Sequence, residues 1–131
     1  MKKIRKFTDL EAWQVVHQLR IAVLKEIRSF PKEYDFGLST QIQRSAVSVG
    51  SNIAEGFGRI SVKEKLRFYD IARGSLTELQ DKLITARDIG VLESSRFNTL
   101  AEMSVRSQKL INGLMWSLRT TNSELRDTLH V

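Results

Sequence analysis

The chain of 131 residues contains no cysteine. Without thiols, the protein has no disulfide scaffold, no thiol nucleophile and no thiolate metal site. This absence fits the reducing cytoplasm, where we expect the protein to be located. Proline occurs once and glycine seven times. Because these two residues are the main interrupters of helices, their scarcity predicts long helices joined by short connectors.

Long hydrophobic runs are also missing. A membrane-spanning helix needs about 20 consecutive apolar residues, and no stretch of this sequence approaches that length. Residues 1–6 are basic and are followed by polar residues rather than by the apolar core of a signal peptide. We therefore expect neither a membrane segment nor a membrane partner.

Positive charge is in excess. The sequence has 21 Lys and Arg against 15 Asp and Glu, which gives a formal net charge of +6. Such a balance favours anionic partners, and nucleic acid is the first of them. Apolar residues make up 41% of the chain, which suffices for one hydrophobic core and predicts a single domain over residues 1–131.

Apolar residues recur at helical spacing in four segments. The first helix is predicted to begin at a cap formed by Thr8 or Asp9 and to run to about Ser29. It stops there because Phe30 precedes Pro31, and the residue before a proline is pushed out of the helical region. The basic residues 1–7 before it are expected to form a flexible arm.

The second helix is predicted to begin at Ser39 or Thr40 and to end near residues 56–58, which hold two glycines. A capping box that starts at Ser61 opens the third helix, and Gly90 ends it.

The fourth helix is predicted to begin at Ser94 or Ser95 and to fray from Thr120, with a flexible tail over residues 121–131. Four helices with short connections and no strand-like alternation predict an all-α fold, an antiparallel up-down-up-down four-helix bundle.

The second helix has an unusual polar side. One face is apolar, with Ile42, Ala46, Val49, Ile53 and Phe57. The opposite stripe carries short, nearly uncharged groups instead of the Lys and Glu of a solvated face. We interpret it as a surface that packs against another subunit. Trp116 lies off the buried arc of the fourth helix and is a second candidate contact. The predicted oligomer interface is Gln41, Ser45, Ser48, Asn52, Glu55 and Trp116.

Two residues, Arg20 and Gly74, do not fit the helical pattern. Arg20 falls inside the apolar arc of the first helix, so it must reach solvent along its neighbours or pair with a carboxylate, for which Glu55 and Glu78 are candidates. Gly74 lies mid-helix on an outer face, where glycine costs about 1 kcal/mol relative to alanine. We expect another helix or subunit to approach it closely.

No catalytic constellation is present. The two histidines are His17 and His130, and no helix carries the Glu-x-x-His pattern of a di-iron bundle. Asp127 and His130 form no credible metal site, and the G-x-S-x-G motif is absent. We expect no enzymatic activity, no metal and no cofactor.

A glycine-rich turn leads into the third helix at residues 56–61. A helix N-terminus can hold a phosphate, and Arg59, Lys63 and Lys65 add positive charge there. A tight turn explains the same glycines and is the interpretation that the residues favour. Acidic residues dilute the cluster, so the pattern predicts salt-sensitive phosphate contacts without base readout. The candidate nucleic-acid-binding residues are Arg44, Arg59, Lys63, Lys65, Arg67 and Arg73.

Five short motifs in the sequence resemble those of a known protein family. They are FxDL at residues 7–10, FP at 30–31, QIxR at 41–44, SNIAEGFGR at 51–59 and AxGSLxEL at 72–79. On these motifs the chain resembles the four-helix-bundle proteins encoded in intervening sequences of bacterial 23S ribosomal RNA genes, also called the S23 ribosomal protein family. Arg20 and Gly50 depart from the family pattern.

The resemblance implies a four-helix bundle that assembles as a ring, commonly a homopentamer, without enzymatic activity. The family is also similar to the accessory variability protein of diversity-generating retroelements, a basic pentamer that binds nucleic acid and a reverse transcriptase. Two functions stay open at this point. One is a nucleic-acid-binding scaffold, with RNA preferred over DNA. The other is a structural oligomer or an adaptor for a protein such as a reverse transcriptase or a ribosomal component.

Overall fold

The computed structural model describes the backbone of residues 3–129 and the side chains of residues 3–121. Four α-helices form it, named here α1 to α4, and two short 3-10 turns precede α1 and α2. The helices are α1 Glu11–Ile27, α2 Leu38–Gly58, α3 Val62–Asp88 and α4 Ser94–Leu129, and the turns are Phe7–Asp9 and Lys32–Tyr34. Residues 3–129 contain no strand, so the predicted all-α fold is confirmed.

Side-chain contacts give the direction of each helix. Arg96 at the start of α4 pairs with Glu26 at the end of α1 at 3.4 Å, and Arg106 pairs with Glu11 at 3.3 Å. The Ser48 and Ser75 hydroxyl oxygens are 2.8 Å apart between α2 and α3. Residue numbers thus rise along α4, from Arg96 to Arg106, while they fall along α1, from Glu26 to Glu11. In the same way, Gly56 of α2 approaches Tyr69 of α3, whereas the earlier Ser48 meets the later Ser75. The bundle is therefore antiparallel.

The core follows the predicted apolar stripes. Val16, Leu19 and Val23 of α1 are buried, as are Ile42, Ala46, Val49 and Ile53 of α2. The α3 stripe of Ala72, Leu76, Leu79, Leu83 and Ala86 is also buried. At the start of this stripe the apolar spacing predicts Phe68, but the structure buries its neighbour Tyr69 and leaves Phe68 partly exposed. Tyr69 is the largest fully buried side chain among the described residues.

The predicted cap of α1 is wrong. The residue before the helix is Leu10, which has no capping side chain. The Asp9 carboxylate instead accepts the backbone N–H groups of Arg5 and Lys6, each at 3.0 Å. A 3-10 turn inserted before α1 moves this carboxylate one turn upstream. The Phe7 ring meets Trp13 edge-on at 5.2 Å, which ties the end of the basic arm to the bundle.

The predicted cap of α2 is also wrong, whereas that of α3 is confirmed. Gly37 precedes α2, Ser39 lies buried inside its first turn, and the Thr40 hydroxyl donates to the backbone oxygen of Asp35. The Ser61 hydroxyl accepts the Glu64 N–H at 3.1 Å, as the capping box requires.

The helix ends agree with the glycine pattern, except in α4. Helix α2 ends at Gly58, and α3 ends two residues before Gly90. Gly90 has a φ of 79°, a conformation that glycine adopts without strain. Helix α4 extends to Leu129, and neither proline nor glycine follows Gly113. The predicted fraying from Thr120 stays a prediction.

Two glycines have opposite surroundings. A Cβ added at Gly56 would lie 2.8 Å from Tyr69 Cε1 and 3.0 Å from Phe68 Cβ, so α2 needs a glycine to approach α3 here. A Cβ at Gly74 would meet no atom within 4 Å. The prediction that another helix of this chain approaches Gly74 is therefore wrong for the described residues.

The two glycines can be tested as a matched pair. We expect Gly56→Ala to lower the free energy of unfolding by about 1–3 kcal/mol, because the added methyl group overpacks against the buried Tyr69 ring. We expect Gly74→Ala to raise it by about 1 kcal/mol, because alanine is the better helix former in open space. Urea denaturation followed by circular dichroism measures both. Destabilisation by Gly74→Ala would instead indicate that a second subunit covers this position.

Tyr69 should make the fold sensitive to alkali. Burial raises the pKa of Tyr69 from 10.0 to about 12. The folded chain then holds this proton more tightly than the unfolded chain, so the stabilisation is complete below pH 10 and is lost as pH rises toward 12. Two pKa units correspond to about 3 kcal/mol of unfolding free energy. The Tyr69→Phe variant has no phenol to ionise here, so it should not lose this amount as pH rises from 10 to 12. Phenolate absorbance in a Tyr34→Phe background measures the titration, and ionisation of Tyr69 near pH 10 would contradict the expectation.

Candidate nucleic-acid interface

The start of α3 brings three of the six candidate cations together. Arg59 lies just before this helix, and Lys63 and Arg67 lie in its first two turns. The two arginines lie against Phe68, with the Arg59 and Arg67 guanidinium carbons 4.6 and 5.6 Å from the ring centroid. Lys63 is exposed and has no ion pair within the described residues. We call Arg59, Lys63 and Arg67 the basic corner.

Two members of the basic corner have acidic neighbours. Arg59 pairs with Glu55 at 2.6 Å, and Arg67 pairs with Glu64 at 3.6 Å. The four side chains of these pairs are 45–67% exposed. Exposed pairs of this kind contribute about 0–1 kcal/mol. A phosphate can therefore replace either carboxylate at little energetic cost.

Lys65 has a structural role. Its ammonium group donates to the backbone oxygen of Phe57 at 2.6 Å and lies 5.2 Å from the Phe57 ring. It thereby binds a carbonyl at the C-terminal end of α2, where a cation is favourable. Burial lowers the pKa of Lys65. This lysine points into the junction of α2 and α3 rather than outward.

The remaining two candidates lie elsewhere. Arg73 pairs with Asp70 at 2.7 Å and donates to Asn112 of α4 at 3.3 Å, so it links α3 to α4. Along the helix it lies about 15 Å from Lys63. Arg44 is exposed on α2 and has no ion pair among the residues with described side chains.

The turn before α3 is a tight connection. Neither Gly56 nor Gly58 has a positive φ, and the Arg59 N–H closes the end of α2 on the Gly56 oxygen at 3.1 Å. Gly56 is required by the close approach to Tyr69. The interpretation as a tight turn, which the sequence favoured, therefore accounts for the glycines.

The stripe of short, nearly uncharged side chains on α2 includes Ser45, Ser48 and Asn52, and we call it the neutral stripe. It faces α3 of the same chain. Ser45 is only 2% exposed and donates to the oxygens of Gln41 and Ile42. Ser48 bonds to Ser75, and the Asn52 amide donates to the Ser48 oxygen and hydroxyl at 2.9 and 3.0 Å. A buried neighbouring helix thus explains why this stripe lacks charge. The signal that indicates this pairing is Ser75, which lies on the buried side of α3.

The other predicted interface residues are exposed. Gln41 is exposed at the start of α2, and Glu55 pairs with Arg59 near its end. Trp116 is 68% exposed on α4. Val105 lies three turns before it on the same stripe and is also exposed. Of the predicted set, Trp116 offers the largest apolar surface.

Arg20 pairs with a histidine rather than with a carboxylate. Its Nε and Nη2 lie 3.2 and 2.8 Å from His17 Nδ1, and its Nη1 donates to the Val47 oxygen at 3.4 Å. Neither Glu55 nor Glu78 contacts it, which leaves that predicted alternative wrong. Sequence reasoning missed this group, although His17 precedes Arg20 by three residues, a spacing that places both on one helix face.

The described part of the chain contains no group of three or more His, Asp or Glu side chains that could hold a metal ion. It also contains no helix that is long and apolar enough to cross a membrane.

Comparison with known proteins places the chain in a family. The model of the family described as 23S rRNA-intervening sequence protein matches residues 8–113. The chain belongs to this family. No curated protein matches it. Among solved structures, a protein with unknown function from the S23 ribosomal protein family of Bacteroides thetaiotaomicron VPI-5482 superposes with a TM-score of 0.75. The match has 18% identity and covers 79% of this chain and 97% of the other, which supports the fold alone.

Proposed function

We propose that this 23S rRNA-intervening sequence protein is a non-enzymatic, oligomeric protein of the cytoplasm that binds RNA through its phosphate backbone. The observation that carries the proposal is the basic corner around Phe68 at the start of α3. The family's description names 23S rRNA, so ribosomal RNA is the first ligand to test. DNA binds by the same contacts if the site does not read the ribose.

The corner suits phosphates better than bases. Its cations are exposed, and two of them exchange weak surface pairs for a stronger charge-assisted contact. The first turn of α3 adds the positive end of its helix dipole. The Phe68 ring is occupied by the two guanidinium groups, so it orders the arginines rather than stacking on a base. Such a site binds without sequence preference.

The corner can be tested by charge removal. We expect the triple variant Arg59→Gln, Lys63→Gln, Arg67→Gln to bind single-stranded ribosomal RNA more weakly. Its slope of log affinity against log salt should fall by about 2, since each phosphate contact contributes about 0.7 for a single strand. Fluorescence anisotropy over a salt series measures both effects.

A matched control removes three cations elsewhere. Lys25, Lys32 and Lys109 are exposed, and all three lie outside the basic corner. Their triple change to Gln has the same net charge and should keep most of the affinity and of the salt slope. Equal losses of affinity and salt slope in the two triple variants would indicate that binding depends on net charge alone. No binding by the unmodified protein at low salt would overturn the proposal.

The proposed assembly is a homo-oligomer, and the family resemblance makes a pentamer the expected number. The support in this chain is the exposed stripe of α4 that contains Val105 and Trp116. Ser48 already bonds to Ser75 of α3, whereas the bonds of Ser45 and Asn52 stay within α2. The same stripe also suits a second candidate function, docking of a protein such as a reverse transcriptase or a ribosomal component.

The assembly surface can be tested by one substitution. We expect the protein to sediment as a particle five times the 15.0 kDa chain mass, and Trp116→Gln to lower that mass by removing buried apolar contact. Ile89→Gln is the control, because Ile89 is 51% exposed at the far end of α3. Sedimentation velocity separates the species. A monomeric unmodified protein would overturn the assembly, and an unchanged mass for Trp116→Gln would exclude this stripe.

A further inference from the structure

Arg20 is a preorganised cation on the face formed by α1 and α2, away from the basic corner. Its Nε and Nη2 both lie within hydrogen-bond distance of His17 Nδ1, at 3.2 and 2.8 Å. Because a guanidinium group has no acceptor, Nδ1 must accept, and the neutral imidazole carries its proton on Nε2. The His17 ring is in turn stacked on Trp13 at 4.7 Å and 12°. These contacts hold one edge of the guanidinium group.

Gly50 forms the floor beneath this group. A Cβ at that position would lie 2.8 Å from Nη1, 2.9 Å from Cζ and 3.1 Å from Nη2. These three nearly equal distances show that the guanidinium group lies flat over the Cα atom of Gly50. Any other residue would displace it. The Nη1 contact with the Val47 oxygen at 3.4 Å holds it from the side.

Two of the five N–H donors of the Arg20 guanidinium group have no acceptor in the described part of the chain. Of the five guanidinium donors, Nε–H and one on Nη2 face His17, and one on Nη1 faces Val47. One N–H on Nη1 and one on Nη2 have no acceptor among residues 3–121. They form the outer edge of the fork, the geometry that binds a carboxylate with two parallel hydrogen bonds.

No acid of α1 or α2 is left to fill this edge. The acids of α1 are Glu11 and Glu26, and both pair with arginines of α4. The single acid of α2 is Glu55, which pairs with Arg59. A partly desolvated cation without a counter-charge is unfavourable, and burial lowers the pKa of Arg20 accordingly.

We propose that Arg20 is a carboxylate-binding site and that its ligand is an acidic side chain of a partner protein. The charge of one guanidinium group balances one carboxylate, whereas a phosphate dianion leaves negative charge uncompensated. The apolar part of its rim is the exposed Val47, whose oxygen accepts from Nη1, and the half-buried Trp13, whose ring centroid lies 5.9 Å from the guanidinium carbon. An apolar rim around a fixed arginine is typical of a protein-binding surface. The site lies apart from the proposed RNA contacts and does not depend on them.

Acetate, the smallest carboxylate, is the probe. It is titrated at pH 8 and constant ionic strength, with sodium chloride as the balancing salt, and followed by the NMR signals of the Arg20 Nε–H and Trp13 indole N–H groups. We expect both signals to shift saturably with acetate and less with inorganic phosphate. A linear response equal to that of chloride would overturn the site. Tighter binding of phosphate would overturn the assignment to a carboxylate.

Three variants separate geometry from charge. Arg20→Lys keeps the charge but loses the planar fork, and the saturable Trp13 shift should disappear. Gly50→Ala keeps Arg20 but displaces it, and the same loss is expected. Arg119→Lys, on an exposed arginine of α4, is the control and should bind acetate as the unmodified protein does. Circular dichroism checks the fold of each. Retained saturation in a folded Arg20→Lys or Gly50→Ala variant would contradict the proposed geometry.

Discussion

The close approach of α2 to α3 is the contact on which the rest of the bundle depends. Gly56 removes a side chain where α2 meets Tyr69, and the Ser48 and Ser75 hydroxyls replace longer groups farther along. Each hydroxyl is hydrogen-bonded, so the polar atoms are buried without loss. Only three residues join the two helices. Their tight contact therefore also fixes where the basic corner lies.

The distribution of charge separates structural cations from available ones. Lys65 binds the end of α2, Arg73 links α3 to α4, and Arg96 and Arg106 link α4 to α1. Part of the excess positive charge is therefore engaged in contacts between the helices of the bundle. The basic corner differs because its pairs are exposed and local, and they break without disturbing helix packing. Net charge alone would not distinguish these two groups.

The number of helices, their core stripes and the Ser61 cap follow from the sequence because apolar periodicity and local hydrogen bonding determine them. The cap residues of α1 and α2 do not, since a 3-10 turn offers Asp9 a competing set of N–H groups. The neutral stripe of α2 was recognised as enclosed, but polarity does not reveal whether the enclosing helix belongs to the same chain. Arg20 shows the same limit. Formal charge predicts a glutamate as its partner, whereas its partner in the structure is His17.

Gly50 has a consequence for which residues this surface can carry. Arg20 occupies the space that any side chain at position 50 would fill, so the two identities are interdependent. A chain with a larger residue at position 50 has no room for the guanidinium group in its present place. The observed position of Arg20 therefore requires glycine at position 50. The dependence is asymmetric, since losing Arg20 leaves an open groove, whereas losing Gly50 displaces a charged group. Position 50 therefore constrains position 20 more strongly than position 20 constrains position 50.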